Sequence, residues 1–115
     1  MFGEYIRQVR ESKRLKDKAF SVRQVAQRVG IEPAYLSKIE REQVAPPSEE
    51  TIRKIALELD EDVDVLLAMA GKVSKDLLEI IMKRPALFAE VIRQLKTLPD
   101  KGLLKIVREV RDGSW

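Results

Sequence analysis

The sequence predicts an all-α chain, with five helices up to about residue 71 and about three short ones after it. Three observations carry this. Every segment with a clear apolar period repeats at three to four residues, no segment alternates as a strand would, and the breaks fall at Gly, Pro and Ser. Hydrophobic residues make up 44% of the 115, enough for a compact core, while the 36% that are charged require a densely ionic surface.

Phe2, Ile6 and Val9 lie on one face of a first helix, with Tyr5 beside them. The run KRLKDKAF (13–20) breaks that pattern and reads as a charged connection. Ser21 is an N-cap candidate, because its hydroxyl can accept from an unpaired N–H of the next turn. Val22, Val25, Ala26 and Val29 then make a second apolar stripe, which Gly30 ends; Ile31 turns back toward the core. Pro33 opens a third helix, where its missing N–H costs nothing, and Leu36 and Ile39 are the buried pair. EQVAPPS (42–48) is a loop stiffened by Pro46 and Pro47. Ser48 caps a fourth helix whose inward face is Ile52, Ile55, Ala56 and Leu59, with Glu49 and Glu50 at its positive end. After the acidic DEDVD (60–64), Val63, Leu66, Leu67, Met69 and Ala70 form a fifth helix that Gly71 stops.

Ser74, Pro85 and Pro99 start three more helices. Their inward faces read as Leu77, Leu78 and Ile81; Phe88, Val91 or Ile92, and Leu95; and Leu103, Ile106, Val107 and Val110. The sequence therefore divides into residues 1–71 and an extension of residues 72–115.

Composition removes several kinds of chemistry. There is no Cys and no His, which excludes disulfides, thiolate metal sites and imidazole acid–base catalysis. There is no Gly-rich phosphate loop, the Glu49–Glu50 pair sits where a helix start favours acids, and no cofactor signature appears. The expectation is a non-enzyme without metal or cofactor. No apolar run is long enough to span a bilayer, and the first residues are periodic and charged, so a cytoplasmic location is expected. The net charge is +3, unevenly spread. Residues 1–47 carry ten basic and six acidic side chains, 48–71 two and seven, and 72–115 ten and six. A basic first block is what contact with nucleic-acid phosphate requires.

Residues 21–42, SVRQVAQRVGIEPAYLSKIERE, join two short helices through a Gly-containing turn, the arrangement of a helix-turn-helix. Ala26 is small where the second helix crosses the first, and Ile31, Leu36 and Ile39 lock the crossing. The segment resembles the Xre family of lambda-repressor-like helix-turn-helix regulators. The resemblance rests on V-A-x-x-x-G-I (25–31), Y-L-S-K-I-E (35–40), Pro47 and T-I-x-x-I-A-x-x-L (51–59), and covers residues 2–70. It departs at Val22, where the family often has Gln, at Glu42, where it usually has Gly, and in a longer connection before Ser21.

The resemblance implies a five-helix DNA-binding domain that reads double-stranded DNA with the second motif helix. By position, Pro33, Ala34, Tyr35, Ser37 and Lys38 are the expected base readers. Lys38 can donate to guanine O6 or N7. Arg23, Arg28 and Arg41, with Lys13, Arg14 and Lys16, are expected on phosphates, which position the domain without reading sequence. The implied function is a transcriptional regulator, a repressor on a palindromic operator as a homodimer. The alternative is an antitoxin or adaptor with autoregulatory DNA binding. The extension, residues 74–112, would carry dimerisation or dock a protein partner such as a toxin or protease.

Overall fold

The computed structural model describes all 115 residues and contains eight α-helices and no strand. They are α1 (Phe2–Arg14), α2 (Val22–Val29), α3 (Pro33–Glu40), α4 (Glu49–Leu59), α5 (Val63–Met69), α6 (Lys75–Lys83), α7 (Pro85–Leu95) and α8 (Asp100–Asp112). A short 3-10 turn, Lys18–Phe20, precedes α2. The chain divides into two compact units, Met1–Leu77 and Leu78–Trp115.

The first unit holds the core. Phe2 and Ile6 of α1, Val25, Ala26 and Val29 of α2, Leu36 and Ile39 of α3, Ile52, Ile55, Ala56 and Leu59 of α4, and Leu66 and Leu67 of α5 form one buried cluster. These are the stripes expected from periodicity. Burying each Leu or Ile stabilises the fold by about 1.5–3 kcal/mol relative to exposure. Tyr5, Val9, Phe20, Ile31 and Val63 close its edge.

The caps are made by the expected residues. The Ser21 hydroxyl accepts from the Gln24 N–H at 3.2 Å and the Ser48 hydroxyl from the Thr51 N–H at 3.3 Å. Ser74 is buried and accepts from the Leu77 N–H at 3.1 Å. Gly30 closes α2 at φ +87°, a conformation L side chains rarely adopt. Lys72 Nζ donates to the Pro47 carbonyl at 2.9 Å, tying the segment after α5 to the loop before α4.

Two expectations are corrected. The run 13–20 is not a featureless connection: α1 continues through Arg14 and the 3-10 turn fills residues 18–20. An aspartate cap explains the turn, since Asp17 accepts from the Ala19 N–H at 2.9 Å. Lys13 and Arg28 also lie over the Phe20 ring, 5.6 and 5.5 Å from its centroid, anchoring it.

The second correction concerns the last three helices. Of their expected inward residues, Ile81, Phe88, Leu95, Leu103 and Ile106 are half-buried, whereas Leu77, Leu78, Val91, Ile92, Val107 and Val110 are exposed. No side chain from Lys75 onward is fully buried. Periodicity reports that a helix has an apolar face; it does not report whether the same chain supplies the surface that covers it.

Candidate nucleic-acid interface

α3 is eight residues long, with no side-chain hydrogen bond at its N-cap. Such a helix is marginal alone, so its neighbours hold it. Pro33 sets the first turn and the Gly30 corner aims it. Leu36 and Ile39 sit in the core. Glu40, its last residue, is also buried and forms a two-pronged ion pair with buried Arg10 of α1, at 2.7 Å (Nε to Oε2) and 2.8 Å (Nη2 to Oε1). Arg10 further donates to the Phe20 carbonyl at 3.1 Å and to Glu11 at 3.0 Å. The Glu40 hydrogen bonds, opposed in part by burial, raise Arg10 above its ordinary value. Arg14 and then Arg10 hold the Glu11 carboxyl below its ordinary value.

With one side of α3 so fixed, its other side presents Ala34, Tyr35 and Lys38, continued by Arg41. Pro33 is exposed at the leading end, and Ser37 is half-buried at the flank. Tyr35 lies at the margin, 37% exposed. The five residues expected to read bases therefore share α3, with Lys38 fully on its free side.

The residues expected at phosphates separate into kinds. Arg23 is exposed on α2 and lines a cavity of about 310 Å³ together with Gln27, Glu32 and Pro33. Arg41 folds back on α3, its Nη2 donating to the Ser37 hydroxyl at 2.6 Å. Arg14 and Lys16 line a larger depression, about 740 Å³, beside the start of α2, with Lys18 and Gln24. Arg14 is also paired with Glu11 at 3.0 Å. Lys13 is half-buried over Phe20. Arg28 pairs with Glu58 of α4 at 2.6 Å while stacked on Phe20, so its charge is engaged within the chain.

Sequence reasoning passed over Arg7, Gln24 and Gln27. Arg7 lines a cavity of about 270 Å³ with Arg10, Glu11, Val22, Ser37, Glu40 and Arg41. Its position next to Ile6, on the flank of the apolar stripe of α1, was the available signal. Gly3 was also missed. A Cβ there would lie 2.0 Å from the Ile39 carbonyl oxygen, so α1 and the end of α3 touch backbone to side-chain position.

A profile of the helix-turn-helix family matches residues 6–66, which is more than half of the chain and includes all of α2 and α3. The chain belongs to the Xre, lambda-repressor-like helix-turn-helix family. It is 36% identical over 67 residues to the HTH-type transcriptional regulator SinR of Bacillus subtilis (strain 168), and equally to SinR of Bacillus licheniformis. Those matches span 58% of this chain and 56% of each relative, so the chain matches little more than half the length of these relatives. A solved structure of a SinR protein/SinI protein complex shares the fold with a TM-score of 0.52 at 21% identity, over 96% of this chain and 95% of that one. No helix is long and apolar enough to cross a membrane.

Proposed function

We propose that this chain is a sequence-specific DNA-binding transcriptional regulator, a repressor that occupies a palindromic operator as a homodimer in the cytoplasm. It acts by occupancy, without catalysis. The observation that carries the reading is the free side of α3: Lys38 with Ala34 and Tyr35, held outward by Leu36, Ile39 and the Arg10–Glu40 pair. Lys38 donates to a guanine edge in the major groove, Ala34 and Tyr35 pack on thymine methyls, and Arg23 and Arg41 hold phosphates. The family assignment and the likeness to the SinR regulators support it.

The apolar surface left exposed on the second unit supports the homodimer. Leu78, Val91, Ile92, Val107 and Val110 are each 45–59% exposed. A second copy that covered them would pair two chains, and so two reading helices, as a two-fold operator requires. The same exposed surface favours a second reading, in which a protein partner covers it and DNA binding is autoregulatory. The similar solved structure is itself a complex of two proteins, SinR and SinI.

Fluorescence anisotropy with the duplex upstream of the chain's own coding region, against a scrambled duplex, tests the DNA reading. The native duplex should bind more tightly, both should weaken as salt rises, and Lys38→Ala should cost about 1–3 kcal/mol on the native duplex alone. Equal, weak binding to both duplexes by the wild-type chain would refute operator recognition at that site.

A further inference from the structure

We infer that Arg7 of α1 and Arg41, just past α3, form a two-arginine clamp on one backbone phosphate of the DNA. This rests on the DNA-binding reading above and adds a contact from α1 to it.

The two side chains line the same cavity of about 270 Å³, whose other walls are Val22 at the start of α2, Ser37, and the Arg10–Glu40–Glu11 cluster. The charges in that cluster are already matched. Arg10 is bound by both Glu40 and Glu11, and Glu11 is shared with Arg14. Glu11 is also the carboxylate four residues along α1 from Arg7, where a helical ion pair would form. Its engagement by Arg10 and Arg14 leaves Arg7 exposed and without a carboxylate. Arg41 has none either: it bonds only to Ser37, at 2.6 Å to the hydroxyl and 3.4 Å to the carbonyl. That bond holds the guanidinium along α3 and leaves most of its N–H donors free.

Two unmatched guanidiniums thus face one concavity at the flank of the helix that would enter the groove. A phosphodiester matches the fork of N–H donors and the charge, and the strand bordering the groove passes this flank. Val22 is consistent with the assignment. An apolar side chain stands where the family often has Gln, so α2 brings no side-chain donor there, and α1 and α3 supply them instead.

The test uses the full-length chain in the same anisotropy assay at about 50 and 200 mM salt. Arg7→Gln should weaken the native and scrambled duplexes alike, by roughly tenfold at the lower salt, as loss of a charged hydrogen bond implies. It should also lower the slope of log K against log salt by about 0.9, the signature of one phosphate. Arg7→Lys should restore the slope. The thermal melt of Arg7→Gln should match the wild type, because the side chain is exposed. Wild-type affinity and slope in Arg7→Gln, while Lys38→Ala still loses its preference for the native duplex, would overturn the clamp and leave the DNA reading standing. A wild-type chain with no salt-dependent DNA binding would overturn both.

Discussion

The buried Arg10–Glu40 pair is the interaction whose loss should be felt most. Both side chains are almost wholly buried, at 2% and 4% exposure, so neither charge can turn to water when its partner is removed. Glu40→Ala would strip two hydrogen bonds from Arg10 and leave the guanidinium with the Phe20 carbonyl and Glu11. Breaking a buried pair from one side costs about 3–5 kcal/mol. Glu11 is 42% exposed and still matches part of the charge, which favours the lower end. About 3 kcal/mol corresponds to a fall in melting temperature of roughly 12–24 °C for a unit of this size. Replacing both groups, Arg10→Met with Glu40→Leu, removes the two desolvation costs together and should lie within about 1 kcal/mol of wild type. Urea unfolding followed by circular dichroism at 222 nm measures all three. A loss below about 1 kcal/mol in Glu40→Ala would refute the reasoning, and so would a double variant as unstable as the single one.

Other perturbations separate the remaining local causes. Ser48→Ala should cost about 1 kcal/mol by losing the bond from the Thr51 N–H, read as a lower urea midpoint with unchanged slope. Gly30→Ala should cost about 1 kcal/mol through the backbone alone, since no atom lies within 4 Å of the new Cβ but φ is +87°. Gly3→Ala should do more, because the added methyl meets the Ile39 carbonyl at 2.0 Å and must push α1 from α3; heteronuclear NMR should show shifts spreading to Ile39 and Glu40. Stability should also fall at both pH extremes. The Glu11 carboxyl lies below its ordinary value in the fold, so its contribution is present at neutral pH and fades in acid as pH drops through that lowered value. The Tyr5 hydroxyl donates to Glu61, and that bond, with burial and the nearby charge, raises it above 10.0, so its contribution fades as alkaline pH climbs through the raised value. Tyr5→Phe should remove that part of the alkaline loss in pH-dependent melts.

The legible part of the structure was whatever depends on residues close in sequence. The stripes of α1 to α5, the serine caps at 21, 48 and 74, and the glycine corner at 30 all follow from spacing and backbone chemistry within one or two turns. The illegible part depends on neighbours far apart. Arg10 and Glu40 stand thirty residues apart; Glu40 matches the family's acidic position, which suggests a structural role, but nothing near it names Arg10 as its partner until α1 and α3 are laid together. The Arg28–Glu58 pair was hidden for the same reason, because nothing near Arg28 in the sequence announces that Glu58 will meet it. The 3-10 turn at 18–20 was hidden by the charged run around it, although Asp17 supplied the cap signal. The exposed stripes of α6 to α8 failed differently: the amphipathic pattern was correct, and its covering surface is not within these helices.

Two long-range contacts, Arg10 with Glu40 and Gly3 beside Ile39, meet at the junction of α1 and α3, and that bears on how α3 is aimed. α3 has neither the length nor the cap to fix its own axis. The glycine corner and Leu36 fix it against α2 and the core, but a short helix held at one end can still swing at the other. The far end is held by α1: by the close approach at Gly3 beside Ile39, and by Arg10 gripping Glu40. On the proposed reading, Lys38 lies one turn or less from both restraints, so its reach toward a base edge depends on α1 as much as on the motif itself. A helix-turn-helix that departs from its family at Val22 and Glu42 can then keep its function through residues outside the motif. Loss of DNA preference in a Gly3→Ala variant that still folds would be a failure of aim, because the added methyl meets the Ile39 carbonyl inside the fold and brings no group that could contact DNA.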